Sequence, residues 1–574
     1  MRRLHWHALP LLLAVVIGLT ACSPGAERTT GPSQPAGAQA PGQKKVLTVA
    51  MQVEPTAFIR NLHTGIQGDT GREQQHMLHD QLAIEIEYDT YYPQLAVELP
   101  SIEKGTWRVN PDGTMDTTWK LKPNVKWHDG HPFTSADLLF TFQLNKDRDL
   151  VQPTSETSRL GSARALDDLT FDIHWTATYL LADRDTLREI APKHLLEQAY
   201  LEDKTRFTSL PYFTSDFVGL GPYRLVNWEL GSHMELARFD DYHQGRPPLD
   251  AITMRFVPDP NTAVANILSG AVDIVPSSST EGIDLDNAFD VQRRWAGTGN
   301  QVQTQQTGRV IIAEPQFRPE YARPRNGMSN LAVRQAMYHA VDRQTMAEVM
   351  THGLGPVADS YILPVDPIRP QLESFIPQYP YDPARARQLL SGAGWTPGSD
   401  GVYVHTSGER FEIDVWGRQG GGNDKIISIL GDAWKAIGLA PNVMIEPTAL
   451  LGDREYESTR PGFLIVNPSG TAYYDAVAKL HTRSIPTAEN RWRGSNYGAY
   501  SDRRVDDLID RLQETVDQRE RITLHQQLVH EHMANAVMYP LYWQVVPVLM
   551  LKGVKGPRPN QKRPMTNIFE WDKA

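Results

Sequence analysis

One cysteine, Cys22, is all the thiol that 574 residues contain. That excludes an internal disulfide and any metal site built on several thiolates. A basic excess is missing too. With 57 Lys and Arg against 68 Asp and Glu, the formal net charge is -11 at pH 7, whereas a nucleic-acid binder needs a basic face to meet phosphate. Beyond the N-terminal stretch no segment stays apolar for the roughly eighteen residues that a membrane-spanning helix requires. Catalytic signatures are absent as well. There is no Gly-x-Ser-x-Gly elbow, no His-Glu-x-x-His helix and no spare thiol nucleophile, which argues against a secreted hydrolase. The glycines at 420 to 422 lack the Lys-Ser/Thr of a phosphate loop and read as a close-packed turn. Hydrophobic and charged contents of 40% and 22% are ordinary for a globular protein.

What is present begins at the N-terminus. Arg2 and Arg3 precede an apolar run from Ala8 to Ala21, which is too short to span a bilayer comfortably and has the layout of an export signal. Leu19-Thr20-Ala21-Cys22 resembles the bacterial lipobox, in which the cysteine is acylated and becomes the first residue of the mature chain. Residues 1–22 are therefore expected to be a lipoprotein signal, with Cys22 as the lipid anchor. From Ser23 to Gln43 the chain is mostly Pro, Gly, Ala, Ser, Thr and Gln. Such a composition cannot bury enough apolar surface to offset its ordering entropy, so 23–44 is expected to be a disordered tether. About 530 residues remain, more than one core usually accommodates, and they are expected to form two or three lobes.

Local patterns assign the rest to an α/β class. Val46 to Met51 reads as a buried strand and Arg72 to Leu82 as a helix. Thr134 and Asp137 have the spacing of a capping box for the helix that follows. Pro222 to Val226 and Met234 to Arg238 read as a hairpin. A strand at Ile252 to Val257, a helix at Asn261 to Ser269 closed by Gly270, and a strand at Val272 to Val275 make a βαβ unit and imply a partly parallel sheet. Val333, Ala336, Met337, Ala340 and Val341 form one apolar stripe on a helix from Leu331 to Asp342. Asp382 and Pro383 are placed as cap and first residue of a helix ending near Gly392. Phe411 to Val415, Ile426 to Ile437 and Val443 to Ile445 repeat the strand, helix, strand theme. Helices at Val505 to Leu512 and Glu520 to Ala536 precede a final apolar strand, Leu541 to Leu551.

Four segments together resemble one family. The first runs from Trp119 through Val125-Lys126-Trp127-His128-Asp129-Gly130-His131-Pro132-Phe133-Thr134 to Asp137. The second holds Gly219-Leu220-Gly221-Pro222-Tyr223, Asp241-Tyr242, Pro248-Leu249-Asp250, Phe256-Val257-Pro258-Asp259 and Gly270-Ala271-Val272-Asp273. Val333-Arg334-Gln335-Ala336 with Ala340-Val341-Asp342-Arg343 and Gly353-Leu354-Gly355 is the third, and Tyr381 to Ala386 through Leu389-Leu390 to Trp395 the fourth. In order and spacing they are similar to the extracytoplasmic solute-binding proteins of the peptide/nickel class, family 5, the receptors of ABC importers. The resemblance implies a three-lobed α/β fold of the periplasmic-binding-protein type (class II, large peptide-binding type), with mixed sheets and an interlobe ligand cleft. The first lobe would take 45–84, 211–305 and 536–574, the second 85–210 and the third 306–535.

It further implies a monomer without catalysis, cofactor or metal, whose partners are a small-molecule, peptide or oligosaccharide ligand and a membrane ABC permease. A receptor presenting its ligand to a membrane sensor is the alternative. The signature residues read mostly as scaffold. His128, Asp129 and His131 lie in a turn that the family pattern uses without metal, and His530 and His532, two apart on a helix, point to different faces and cannot share a metal ion.

Ligands of such folds lie between lobes at the carboxyl ends of strands. That rule nominates Gln52, Val53 and Glu54 after the first strand, Trp416, Arg418 and Gln419 after the strand at 411–415, and Asn467 with Ser469. Tyr473, Tyr474, Trp492 and Tyr497 add aromatic surface. Trp416 reads equally as a ring for stacking on a sugar and as a packing residue. In peptide-binding members of the family, a Gly-Trp segment supplies an aspartate for the ligand's ammonium group. The corresponding stretch, Gly462 to Gly470, contains no carboxylate. A buried ammonium without a partner is costly, so capture of peptide N-termini in the usual way is not expected unless Asp475 or Glu54 compensates.

Overall fold

The computed structural model describes residues 44–59, 62, 74–87, 90–151, 156–184, 186–277, 282–418, 422–446, 450, 453–466, 480–559, 561 and 563–574. Cys22, the tether, Gln419, Asn467, Ser469, Tyr473, Tyr474 and Asp475 lie outside them.

Strand β1 (Val46–Met51) has Leu47, Val49, Ala50 and Met51 fully buried, as an unbroken apolar run demands when both faces of a sheet are covered. The chain then builds a separate sheet from β2 (Trp107–Val109), β3 (Met115–Lys120), β4 (Leu160–Asp167) and β5 (Thr170–Trp175), in the order β2-β3-β5-β4. Helix α1 (Ser135–Lys146) packs on it and starts with the expected capping box, Thr134 and Asp137 each bonding the other's backbone. Gly130, with φ +89°, makes the turn before it and donates to Trp127 O at 2.8 Å.

β6 (Tyr223–Glu229) and β7 (His233–Arg238) form the expected hairpin, and β8 (Ala251–Phe256) adds to it antiparallel. α2 (Pro260–Leu268) is capped by Asp259, whose carboxylate accepts from Thr262 N at 2.7 Å, and Gly270 follows it with φ +76°. The chain returns as β9 (Ile274–Pro276) and α3 (Leu285–Arg294). β1 lies between β8 and β9 and is parallel to both, which completes the βαβ unit. Gly219 and Gly221 are explained by contact with residues 78 and 79: a Cβ on Gly219 would lie 1.9 Å from Leu78 O, and one on Gly221 2.5 Å from His79 N.

β10 (Gln301–Pro315) precedes α4 (Leu331–His339), α5 (Arg343–Thr351) and α6 (Pro383–Gly392), the first with its whole predicted stripe buried and the last capped by Asp382. β11 (Glu412–Arg418), α7 (Asn423–Ala436) and β12 (Ala440–Glu446) form a second parallel unit. α8 (Arg454–Thr459), β13 (Phe463–Val466), α9 (Arg503–Glu514), α10 (Gln518–Ala534) and β14 (Tyr539–Met550) complete the set. Ten strands join in one mixed sheet, β12-β11-β13-β10-β14-β9-β1-β8-β7-β6. At its centre β14, every residue of which is buried, pairs antiparallel along β10 from Gln301↔Met550 to Ala313↔Tyr539.

Buried side chains gather in distinct clusters. One holds Leu47, Met77, Tyr223 and Trp571, another Trp107, Trp119, Trp127 and Trp175, and the largest Ala336, Trp434, Phe463 and Tyr539. Two local expectations are corrected. The helix expected to reach Leu82 stops at Leu78, because Gly221 N–H takes the Leu78 carbonyl and Asp80 turns inward to Gln94, Tyr242 and His243. Trp416 and Arg418 lie on β11 itself, which runs three residues beyond Val415, since Gly417 and Arg418 still pair with Ile445 and Glu446.

Candidate ligand cleft

Register alone locates the cleft. β9 pairs with β14 from Ile274↔Met550 to Pro276↔Val548, so its carboxyl end heads toward the middle of β14, and β1 and β8 run parallel to it. β13 pairs with β10 from Pro315↔Phe463 to Ile312↔Val466, so its carboxyl end heads toward the middle of β10, with β11 and β12 alongside. Two groups of strands thus aim their carboxyl ends, from opposite directions, at the midpoint of the β10–β14 ribbon. There the pairing breaks between Gln306 and Val310, Gly308 takes φ +61°, and Thr307 Oγ1 donates to Gln544 Oε1 at 3.3 Å. Facing strand ends are where α/β folds bind ligands.

Gln52, Val53 and Glu54 follow β1 at this midpoint. Gln52 is buried, and its amide Nε2 meets no acceptor among the described residues. The Val53 carbonyl accepts from Gln74 Nε2 at 2.7 Å. Glu54 is engaged: its carboxylate accepts from Trp228 Nε1 at 2.7 Å and from Gly231 N at 3.0 Å, which ties it to the β6–β7 turn.

Trp416, Arg418 and Tyr497 gather on the opposite side, under α8. Trp416 is 9% exposed, donates from Nε1 to Pro461 O at 3.1 Å and meets the Tyr456 ring edge-on. The Arg460 guanidinium covers its ring, 5.9 Å from the centroid. Arg418 pairs with Glu457 and lies 3.6 Å from Glu446, which Arg460 approaches to 3.3 Å. Burial raises the Glu446 pKa, and the two guanidiniums pull it back. Gly462 fits because, at φ +76°, a Cβ would lie 2.0 Å from Asp414 O.

Tyr497 lines a cavity of about 10 Å³ with Glu314, Gln316, Glu457 and Arg460. Burial pushes its hydroxyl up to about 12 and the Glu314 carboxyl up to about 7, although Gly498 N donates to Glu314 at 2.9 Å. Trp492 sits in a turn with left-handed backbone, φ 57°, its N–H on Thr487 O at 2.7 Å. Glu446, Glu457 and Arg460 escaped the sequence reading. Only Glu446, last residue of β12, carried a signal that the strand-end rule could have used.

The signature residues hold scaffold. Arg334 donates to the carbonyls of Met328 and Asn535, and Arg343 to those of Ala358 and Tyr379. His128 bridges Gly219 N and Gly221 O, and burial lowers its pKa to about 4. His532 is buried against Tyr361 while His530 lies exposed on Phe375 O. No cluster of three or more metal-binding side chains occurs among the described residues, and no described helix is long and apolar enough to cross a membrane.

The family model for bacterial extracellular solute-binding proteins, family 5, matches residues 90–487, and the chain belongs to that family. It is thus an extracellular substrate-binding protein, not an enzyme. The oligopeptide-binding protein AppA of Bacillus subtilis is 23% identical over 572 residues, covering 98% of this chain and 97% of its own. The AppA structure, in complex with a nonapeptide, superposes with a TM-score of 0.73 at 21% identity over 92% of this chain and 99% of its own. NikZ from Campylobacter jejuni, in complex with Ni(L-His), gives 0.75 at 20% identity over 92% and 100%. An oligopeptide-binding protein from Thermus thermophilus complexed with a pentapeptide gives 0.74 at 21% identity over 92% and 96%.

Proposed function

We propose that this chain is the substrate-binding component of an ABC importer, anchored by lipid on Cys22, and that it captures a small peptide by closing two lobes over it. The first lobe comprises 45–84, 211–305 and 536–574, the second 85–210 and the third 306–535. The observation that carries the reading is the convergence of two opposed sets of strand ends on the broken midpoint of the β10–β14 ribbon. A ribbon whose pairing lapses there lets the two sets move as bodies about a few residues. The hydrophobic cluster around Trp434 and Phe463 is separate from the one around Leu47 and Tyr223, which supports the division of the third lobe from the first.

Gln52, Val53, Arg418 and Tyr497, with Asn467 and Ser469, are the proposed contacts. A peptide is favoured over an oligosaccharide because the ring of Trp416, the candidate for sugar stacking, already lies under Arg460. The wall beneath α8 carries two carboxylates, Glu446 and Glu457, matched by two guanidiniums, Arg418 and Arg460. Neither carboxylate is left over for a ligand ammonium, and Glu314 in the same cavity accepts from Gly498 N and is pushed toward its neutral form by burial, so recognition rests on the peptide backbone.

A thermal-shift screen of the exported Cys22→Ser chain against di- to pentapeptides, their N-acetyl forms, oligosaccharides and nickel chelates tests this. A compound at about 100 times its dissociation constant adds roughly 2.7 kcal/mol of stability. Free and N-acetylated peptides are expected to shift the melting temperature alike. Shifts from sugars or chelates alone would overturn the peptide reading, and a shift lost on acetylation would assign the ammonium to a carboxylate such as Asp475.

A further inference from the structure

We propose that Asp284 and Asp286 on the first lobe, and Lys425 and His352 on the third, form an ionic latch that keeps the cleft partly closed before ligand arrives. The proposal rests on the lobe-closure reading above and adds to it what sets the open-to-closed balance of the empty protein.

The geometry follows from the strands. α3 comes after β9 and α7 after β11, and both strands end at the ribbon midpoint, so the amino ends of these helices meet there. Asp284 caps α3, accepting from Asn287 N at 2.8 Å. Asp286, in the first turn, accepts from His352 Nε2 at 2.7 Å and pairs with Lys425, which also lies 3.5 Å from Asp284. The His352 ring stands edge-on to Phe289, centroids 4.9 Å apart. The four groups, with Tyr542 and Gln544 of β14, line a cavity of about 40 Å³, room for a water or two.

Lys425 is not placed by the needs of its own helix. Lys425 stands in the first turn of α7, where the helix dipole disfavours positive charge. His352 closes α5 in the left-handed region, φ 52°, which a residue with a Cβ enters only at a cost. The two aspartates opposite explain the position of Lys425. The second and third lobes touch as well, where Arg159 Nη2 lies 3.2 Å from Gln513 Oε1 and 3.7 Å from Glu514.

Such a latch is weak by construction. Side-chain exposures of 54% for Asp286, 41% for Lys425 and 40% for His352 leave the pairs open to water and salt, so each shifts an equilibrium only a fewfold. A fewfold bias suits a receptor that must both close and release.

The test uses the Cys22→Ser chain, in which Val226→Cys and Val443→Cys provide the only thiols. Both sites are exposed, on the two edge strands of the ten-stranded sheet. Spin labels there report the lobe separation of the ligand-free protein by double electron–electron resonance. The closed share is expected to fall about three- to tenfold relative to the open one in Asp286→Asn and Lys425→Met, and likewise at high salt. The double variant is expected to lose less than the two single losses combined. Identical ligand-free distributions in all variants, with an equimolar mixture of tri- to pentapeptides still closing them, would overturn the latch and leave closure standing. Distances that neither peptides nor salt change would overturn both.

Discussion

Trp416 illustrates how a single side chain divides between binding and packing. With 9% of its surface exposed, its N–H on Pro461 and its ring beneath Arg460, it belongs to the packed wall beneath α8. Trp416→Ala is expected to cost about 3–5 kcal/mol in urea unfolding and to leave the affinity of the folded variant for peptides nearly unchanged. Glu314 makes the second residue-scale case. Burial lifts its carboxyl from 4.5 to about 7, so the folded chain holds this proton more tightly than the unfolded chain does. Its stabilising effect is complete below pH 4.5 and is lost as pH rises through 7. Relative to Glu314→Gln, the natural protein is expected to lose about 3 kcal/mol across that range, measured as the difference between their unfolding free energies.

Elements were legible where their signals are local. Thr134 with Asp137, Gly270 after Ser269, and Asp382 with Pro383 announce helix ends within a few residues, and the structure forms each of them. Thr134→Ala is accordingly expected to destabilise by about 0.5–2 kcal/mol without altering ligand binding, as parallel melting and titration curves would show. The helix that stops at Leu78 was misread because the competing partners, Gly221, Tyr242 and His243, lie far along the chain. The same limit governs the site. Strand ends can be counted from sequence, so Gln52 and Arg418 were reachable. The pairing of Arg460 with Glu446, and of Asp286 with His352 and Lys425, depends on which strand ends face each other, and that is a property of the whole sheet.

For the molecule as a whole, family membership, the ten-stranded sheet and the cleft at its broken centre describe a receptor that works outside the cytoplasm. The proposed lipid anchor belongs at this scale. Cys22→Ser is expected to leave the melting temperature and peptide binding unchanged while moving the protein from the membrane fraction to the soluble one, and persistent membrane association of the variant would count against acylation.

The buried central strand has one more consequence. β14 begins at Tyr539, yet it supplies the pairing partner of both β9 and β10. β1, among the first segments to be made, likewise waits for Ala251–Phe256 before it has a parallel neighbour. The two groups of strands therefore join into one sheet only once β14 is in place, although β1, β8, β9 and the β6–β7 hairpin pair among themselves without it. Contacts so distant in sequence delay folding, so the ten-stranded sheet is expected to form later than the sheet β2-β3-β5-β4, whose strands all lie between residues 107 and 175.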